Sequence, residues 1–215
     1  MKLAIRTSSG AYGVGLLDSE GSLVGAQYGD DRAFRSANVG DLLSELLEET
    51  GHAQTDIGEI LVDLGPGGLS ATRVGVSFAN AFAFGGAAKL FGVSALQLQM
   101  DDARRVTELP LLSIRPAPGG LSFWAVYEGT SRVVEGCEPP SEAIARLVRR
   151  FDRLAVAGPI ERLGLGKEGP GGAEFIEVDP PSLESFFKAE RRLPRLESAI
   201  ALLEPIVSLE GLRHD

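Results

Sequence analysis

The chain has 215 residues, of which 44% are hydrophobic, and it carries a formal net charge of -9 at pH 7. This length and apolar content can supply the core of one large domain or of two small ones. The negative charge argues against a protein that holds a nucleic acid alone, because that affinity rests on lysine and arginine. Cys137 is the single cysteine, which excludes an internal disulfide and a cysteine-cluster metal site and is typical of a reducing compartment.

The amino-terminal segment MKLAIRTSSG has only a short apolar run, so we expect no signal peptide and a cytoplasmic protein. The longest uncharged stretch, residues 74–88, is too short to span a membrane. Two clusters of arginines alternate with acidic and apolar residues and are interpreted as solvated helix faces. They are Arg146, Arg149, Arg150 and Arg153, and Arg191, Arg192 and Arg195.

The first hundred residues predict three strands, a helix, a strand, a helix and a strand. The three strands, at 2–7, 12–18 and 22–28, are separated by the turn sequences SSGA and SEG. A helix over 38–50 follows, with Asn38 as its N-cap and Gly51 as its stop. Its apolar residues recur with helical spacing at Val39, Leu42, Leu43, Leu46 and Leu47. The remaining elements are a strand at 59–65, a helix over about 70–88 and a strand at 90–96.

The second half predicts a further α/β lobe. Its strands are LLSIRP, SFWAVYE, SRVVEG, RLAVAG and AEFIEV, its main helix covers 140–151, and two short helices lie near 183–188 and 196–203. We expect a lobe boundary near 100–108, with lobes at 1–100 and 101–215. The order of elements predicts mixed sheets with helices on their faces and right-handed crossovers, as in the ribonuclease-H-like lobes of the actin and sugar-kinase superfamily.

A glycine-rich segment, GPGG at 65–68, precedes the second predicted helix and has two interpretations. Its amides could hold an anion at the helix N-terminus. The candidate loop would be Gly65, Pro66, Gly67, Gly68, Ser70 and Arg73. Alternatively, Pro66 sets a tight turn, Gly67 or Gly68 has a positive φ, and Ser70 caps the helix, which the spacing favours. No Lys-Ser or Lys-Thr pair follows, so this is not a Walker loop.

The helix after this segment has two kinds of apolar position. Gly75, Ala79 and Ala83 form a smooth ridge, and Val74, Phe78 and Phe82 form a bulky stripe beside it. One face could be core and the other an interface, or both could be covered within the protein. Arg73 lies in the first turn, where the helix dipole disfavours a cation, so we expect a carboxylate or a bound anion beside it.

The segment GPGGLSATRVGVSFANAFA resembles the Gly-Pro-Gly-Ser-Phe-Thr-Gly-Leu-Arg-Ile-Gly motif of the TsaB (YeaZ) family of tRNA threonylcarbamoyladenosine biosynthesis proteins. Gly65, Pro66, Gly67, Arg73 and Gly75 match the motif, whereas residues 68–72 differ. The opening LAIRTSSGAYGVGLLDSEGSLV and the later FGVSAL are also similar to family strands. The resemblance covers about the first hundred residues, and beyond them only Arg115 of SIRPAPGG matches the family's Asp-Ala-Arg strand.

The resemblance implies a noncatalytic partner subunit of the bacterial complex that modifies the adenosine next to the tRNA anticodon. Such a subunit pairs with the catalytic TsaD protein through its two N-terminal-lobe helices, or with a second copy when alone. These helices map to 38–50 and 70–88. The expected interface comprises Val39, Leu42, Leu43, Leu46, Leu47, Val74, Gly75, Phe78, Ala79 and Phe82. A TsaE-type ATPase is a further expected partner, and the chain is expected to contact tRNA only as part of the complex. No membrane, cofactor or metal is expected.

Catalytic features are missing from the sequence. His52 and His214 are the only histidines, so the i, i+4 metal-binding pair of the catalytic relative cannot form. Arg6 stands where the superfamily carries a magnesium-directing aspartate, and it could bind an anion or pair with Asp63. No histidine follows closely on Thr7, Ser8 or Ser9 to activate a hydroxyl. The alternative function is a phosphate-binding enzyme of the sugar-kinase or acyl-transfer type.

Overall fold

A computed structural model describes residues 1–30, 38–86, 88–166 and 169–192. These residues divide into two compact units. The first contains Met1–Ala95 together with residues 182–192, and the second contains Leu96–Pro181. The division therefore lies before the boundary expected near 100–108, and the chain returns to its first unit after residue 181, which the sequence did not indicate.

The first unit is built on a mixed five-stranded sheet with the order β3-β2-β1-β4-β5. The strands are β1 (Lys2–Arg6), β2 (Ala11–Leu17), β3 (Leu23–Asp30), β4 (Glu59–Asp63) and β5 (Lys89–Val93). The first three form the predicted antiparallel meander, and β4 pairs in parallel with both β1 and β5. Ile5 lies opposite Val14 on one side and Val62 on the other, so this buried central strand carries the apolar core.

Two helices belong to the same unit, α1 (Val39–Thr50) and α2 (Leu69–Gly85). The predicted caps of α1 are confirmed, because the Asn38 side chain accepts a hydrogen bond from the Gly40 amide at 2.8 Å and the helix ends at Gly51. The predicted start of α2 is wrong by one residue. Its N-cap is Gly68, and Ser70 lies inside the helix.

The second unit holds another five-stranded sheet, with the order β10-β9-β6-β7-β8. Its elements are α3 (Ala95–Ala103), β6 (Leu111–Pro116), β7 (Ser122–Glu128), β8 (Ser131–Glu138), α4 (Pro140–Val148), β9 (Ala155–Gly158) and β10 (Glu174–Glu177). The core between the sheet and α4 is formed by residues such as Ile114, Trp124, Ile144 and Leu147. Helix α3 was not predicted, since its first residues were interpreted as the end of a strand.

After the second unit the chain forms α5 (Ser185–Glu190), close to the helix predicted near 183–188. Phe186 and Ala189 of α5 are buried in the first unit. The Lys2 ammonium donates hydrogen bonds to the Glu190 carboxylate at 2.6 and 2.7 Å, which ties α5 to β1. The helix expected at 196–203 lies outside the described residues. Within the described ranges, no helix has both the length and the apolar character required to cross a bilayer.

Two units, each with a mixed sheet and helices on its faces, confirm the predicted α/β fold class.

Candidate functional site

The glycine-rich loop is joined to the turn after β1 by hydrogen bonds of its own backbone. The Asp63 carboxylate, at the end of β4, accepts hydrogen bonds from the amides of Ser8 at 3.1 Å and Gly65 at 2.8 Å. The Gly68 amide donates to the Ser8 carbonyl oxygen at 2.9 Å. Pro66 has no amide hydrogen, so two of the three N–H groups in the segment 65–68 are committed to acceptors within the protein.

Close packing explains two of the glycines on this side of the unit. A Cβ at Gly67 would overlap the carbonyl oxygen of Ser8, and a Cβ at Gly75 would overlap the Oγ1 atom of Thr7. Gly67 and Gly75 have no positive φ and Gly68 has a φ of -61°, whereas Gly65 has a φ of 83°. The expected positive φ at Gly67 or Gly68 is therefore wrong. Glycine is required at position 67 because the Ser8 backbone approaches it, and at position 75 because the Thr7 side chain approaches it.

The polar candidates of the loop lie apart from this contact. Ser70 and Arg73 are exposed in the first turns of α2. Ser70 cannot cap the helix because Gly68 already occupies the N-cap position. Among the residues that the structure describes, neither an ion pair nor a hydrogen bond of the Arg73 side chain is found. The anion-binding role of Gly65, Pro66, Gly67, Gly68, Ser70 and Arg73 stays a prediction, and the geometry favours the packing interpretation of the glycines.

The turn after β1 carries buried hydroxyl groups. The Oγ1 atom of Thr7 and the Oγ atoms of Ser8 and Ser94 are buried, and no hydrogen-bond partner is found for them within the described residues. The single described histidine, His52, lies elsewhere and has its Nδ1 atom 3.7 Å from the Asp56 carboxylate. His214 lies outside the described residues. A nucleophilic hydroxyl would need a base beside it, and His52 does not serve Thr7 or Ser8.

Arg6 is buried at the end of β1, where its guanidinium group lies 5.8 Å from the centre of the Tyr28 ring. It also donates a hydrogen bond to the Ala11 carbonyl oxygen at 3.5 Å. The ring belongs to β3, so this contact spans the meander. An arginine at this position places positive charge where a magnesium-binding loop requires negative charge.

The five apolar residues of α1 are core residues and are removed from the expected association surface. Val39, Leu42, Leu43, Leu46 and Leu47 are all buried, on the face that packs against β2 and β3. The same correction applies to the small residues of α2. Gly75 lies against Thr7 and Ala79 is 0% exposed, so neither can set the distance to a partner.

Beside the exposed Ser70, Arg73 and Ser77, α2 also presents apolar side chains outside the core. Val74 is 44% exposed and Phe84 is 75% exposed, while Phe78 and Phe82 are half-buried with ring centres 6.0 Å apart. A Cβ at Gly40 would lie 3.6 Å from the Phe78 ring, so the start of α1 covers part of that side chain. We call Val74, Phe78, Phe82 and Phe84 the α2 strip.

Sequence reasoning identified three residues of the strip and missed Phe84. The usable signal was the absence of any charge between Val74 and Gly86, which leaves this part of the helix without the charged residues of a solvated face. Exposed apolar surface gathered on one helix is typical of an interaction site.

Comparison with known proteins identifies a matching family model and several similar solved structures. The family model described as "TsaD: tRNA N6-adenosine threonylcarbamoyltransferase" matches residues 33–162. No curated protein sequence matches the chain significantly. An uncharacterized Pseudomonas aeruginosa protein with similarity to peptidase YeaZ has 20% identity and a TM-score of 0.69, over 88% of this chain and 89% of that one.

Two further solved structures are similar. YeaZ from Pseudomonas aeruginosa has 19% identity and a TM-score of 0.65, over 87% of this chain and 89% of that one. The ROK hexokinase from Thermus thermophilus has 11% identity and a TM-score of 0.51, over 89% of this chain and 99% of that one. At these identities the likeness concerns the fold, which is the actin and sugar-kinase type predicted from the order of elements.

Proposed function

The chain belongs to the TsaD family, described as tRNA N6-adenosine threonylcarbamoyltransferase, and on this premise we propose that it is a noncatalytic partner subunit in bacterial tRNA threonylcarbamoyladenosine formation. It would pair with the catalytic TsaD-type subunit and act with a TsaE-type ATPase in the cytoplasm, where tRNA is modified. One observation carries the proposal. The chain matches the family model but lacks the histidine pair that would bind a metal in a catalytic relative.

The residues present do not fit the metal centre of a catalytic relative. The full sequence contains only His52 and His214, which cannot form a pair at i, i+4 on one helix face. Among the described residues, no group of three or more histidine, cysteine, aspartate or glutamate side chains is placed to hold a metal ion. We therefore assign the chain a role in binding and supporting the catalytic subunit.

The α2 strip supports the partner role. Its apolar side chains stand on a helix that packs against the sheet and whose Gly75 and Ala79 are buried, so the strip is presented on a packed support. Aromatic residues such as Phe82 and Phe84 commonly supply much of the binding energy of an interface. We propose that the strip contacts the TsaD-type subunit, and that two copies of this chain use it when the partner is absent.

The alternative function, a phosphate-binding enzyme, has less support. Arg6 reverses the charge that a magnesium-binding loop needs, and the Gly65 and Gly68 amides are committed to Asp63 and Ser8. The loop is thereby occupied by the protein's own turn after β1. No observation in the described residues gives this alternative a base or a metal ligand set.

The proposed function is tested by measuring threonylcarbamoyladenosine in tRNA from cells depleted of this protein. Tandem mass spectrometry of tRNA nucleosides should show a loss of the modification, restored by the wild-type gene. Restoration should fail with a variant that carries a charge in the α2 strip, Val74→Glu, and succeed with Val133→Glu, which carries the same charge on β8. An unchanged level of the modification after depletion would remove the proposal.

A further inference from the structure

Four exposed arginines stand together at the end of α4 in the second unit. Arg146 lies in the last turn of the helix, Arg149 is the residue that caps its C-terminus, and Arg150 and Arg153 follow. We call these four residues the arginine patch. The eight residues 146–153 contain four arginines and one aspartate, in a chain whose formal net charge is -9.

Three of the arginines, Arg146, Arg149 and Arg150, share one side of the helical turn. Ala143, Ile144 and Leu147 face inward and are buried against the sheet. The amides of Arg150 and Phe151 both donate to the Leu147 carbonyl oxygen, at 2.9 and 3.0 Å, so the helical turn continues to residue 151. Residues three and four apart are neighbours on a helix surface, and this places Arg149 and Arg150 beside Arg146.

Only one arginine of the patch has a carboxylate partner within the described residues. Arg146 pairs with Glu138, and its guanidinium group lies 5.1 Å from the centre of the Trp124 ring. Arg150 lies 5.4 Å from the centre of the Phe151 ring. In the part of the chain that the structure describes, no carboxylate pairs with Arg149, Arg150 or Arg153. Within the described ranges, the patch therefore presents three cations without a carboxylate partner.

The helix dipole explains only part of this arrangement. A cation near the C-terminus of a helix is favourable, but the effect is confined to the last turn. Like charges at i, i+4, such as Arg146 and Arg150, repel one another. Glu142 and Asp152 are exposed nearby and leave the cluster with a positive charge. A group of arginines with this repulsion would be stabilised by a ligand that carries several negative charges.

We propose that the arginine patch binds the phosphate backbone of tRNA, which rests on the proposed function for the identity of the polyanion. A guanidinium group suits this ligand because its planar N–H groups bind two phosphate oxygens at once. Phosphate contacts position a protein on its nucleic acid without reading sequence. The patch would orient tRNA, while the acidic remainder of the chain keeps its own affinity for RNA low.

The test measures binding of an unmodified, fluorescently labelled tRNA transcript to the full chain, alone and with the TsaD-type subunit, over a series of salt concentrations. Each phosphate contact that is lost should reduce the slope of log affinity against log salt by about 1. The double variant Arg149→Gln/Arg150→Gln should therefore bind more weakly, with a slope reduced by about 2. The control Arg105→Gln/Lys188→Gln removes the same charge from exposed positions outside the patch and should leave the slope unchanged.

Three results would overturn the proposal. They are a double variant that binds the transcript like the wild type, a control variant that loses as much slope, and competition by poly-glutamate as effective as that by tRNA. Capture of the TsaD-type subunit is measured in parallel, and the double variant should retain it. If the double variant loses slope but no form of the chain captures the TsaD-type subunit, the arginine patch stays assigned and the proposed partnership is removed. Failure of the patch and failure of the partnership are therefore distinguishable.

Discussion

The Ser8 carbonyl oxygen accepts a hydrogen bond from the Gly68 amide at 2.9 Å, across sixty residues of sequence. Asp63 completes the connection, because its carboxylate binds the Ser8 and Gly65 amides on either side. The turn after β1 and the loop before α2 are consequently one structural unit. The glycine-rich loop is shaped by this contact, and α2 is held so that its strip faces outward.

The close approach of Thr7 to Gly75 predicts a cost for any added side chain. Gly75→Ala should destabilise the protein by about 1–3 kcal/mol, the range found when atoms are forced into a packed interior. Gly85→Ala is the matched control, since a Cβ there meets nothing within 4 Å and alanine is favoured over glycine in a helix by about 0.5–1 kcal/mol. Urea denaturation of both variants gives the comparison, and equal stability would contradict the packing interpretation.

Asp63 should be sensitive to replacement by its amide. Asp63→Asn keeps the size of the side chain, but its NH2 group cannot accept a hydrogen bond, so either the Ser8 or the Gly65 amide loses its acceptor. A buried group left without a partner costs about 1–3 kcal/mol. Hydrogen exchange should become faster at whichever of the two amides loses its acceptor and stay unchanged in α4. Asp152→Asn, at an exposed position, is the control, and protection that survives in Asp63→Asn would show that the carboxylate is dispensable.

The contact between β1 and α5 predicts a dependence of stability on pH. Burial of the ammonium lowers the pKa of Lys2, but hydrogen bonds to Glu190 and Glu59 outweigh it and raise this pKa above its usual value. Burial raises the pKa of Glu59, but the hydrogen bond from Lys2 outweighs it and lowers this pKa below its usual value. The contribution of Glu59 to stability is therefore present above the ordinary glutamate pKa and is lost as pH falls through the lowered pKa.

The contribution of Lys2 to stability has the opposite pH dependence. It is present below the ordinary lysine pKa and is lost as pH rises through the raised pKa. Lys2→Met should lose about 1 kcal/mol at neutral pH. Its stability should also fall less steeply than that of the wild type below about pH 4, near the ordinary glutamate value. Thermal denaturation across pH checks this, with Lys188→Met as the control on the exposed side of α5. Parallel pH curves for Lys2→Met and the wild type would remove the pair from the account.

The two faces of α2 should respond differently to a new charge. Ala79→Glu buries an unpaired carboxylate and should cost more than about 3 kcal/mol. Val74→Glu, five residues earlier and 44% exposed, should change stability by no more than about 0.5 kcal/mol. Circular dichroism with urea denaturation separates the outcomes. A folded, fully stable Ala79→Glu would place the small-residue ridge on the outside of the protein.

Local patterns in the sequence predict α1 well and α3 poorly. The leucines of α1 recur at helical spacing between two effective caps, so both limits of that helix follow from neighbouring residues. In α3 the buried Gln99 interrupts the apolar pattern. Its side chain accepts a hydrogen bond from the Ser113 hydroxyl at 2.9 Å and donates one to the Val178 carbonyl oxygen at 3.2 Å. Those partners are distant in sequence, so the residue resembles a polar interruption until the fold is known.

The candidate site is likewise only partly predictable. Helical spacing separates Gly75 and Ala79 from Val74 and Phe78, but it cannot decide which set faces the sheet. That choice depends on Thr7, which reaches Gly75 from the turn after β1. The leucines of α1 illustrate the same ambiguity, because an apolar helix face is equally suited to a core and to a partner until the sheet behind it is placed.

The central claim is that the α2 strip binds the catalytic TsaD-type subunit. Sedimentation velocity of the two purified proteins at micromolar concentration, with Val74→Glu and Val133→Glu as matched variants, tests it most directly. The two valines are 44% and 42% exposed, so the variants place the same charge at comparably exposed positions of different units. We predict one faster-sedimenting complex for the wild type and Val133→Glu, and separate components for Val74→Glu. A wild-type chain that sediments independently of the catalytic subunit, or a Val74→Glu variant that still forms the complex, would contradict the account.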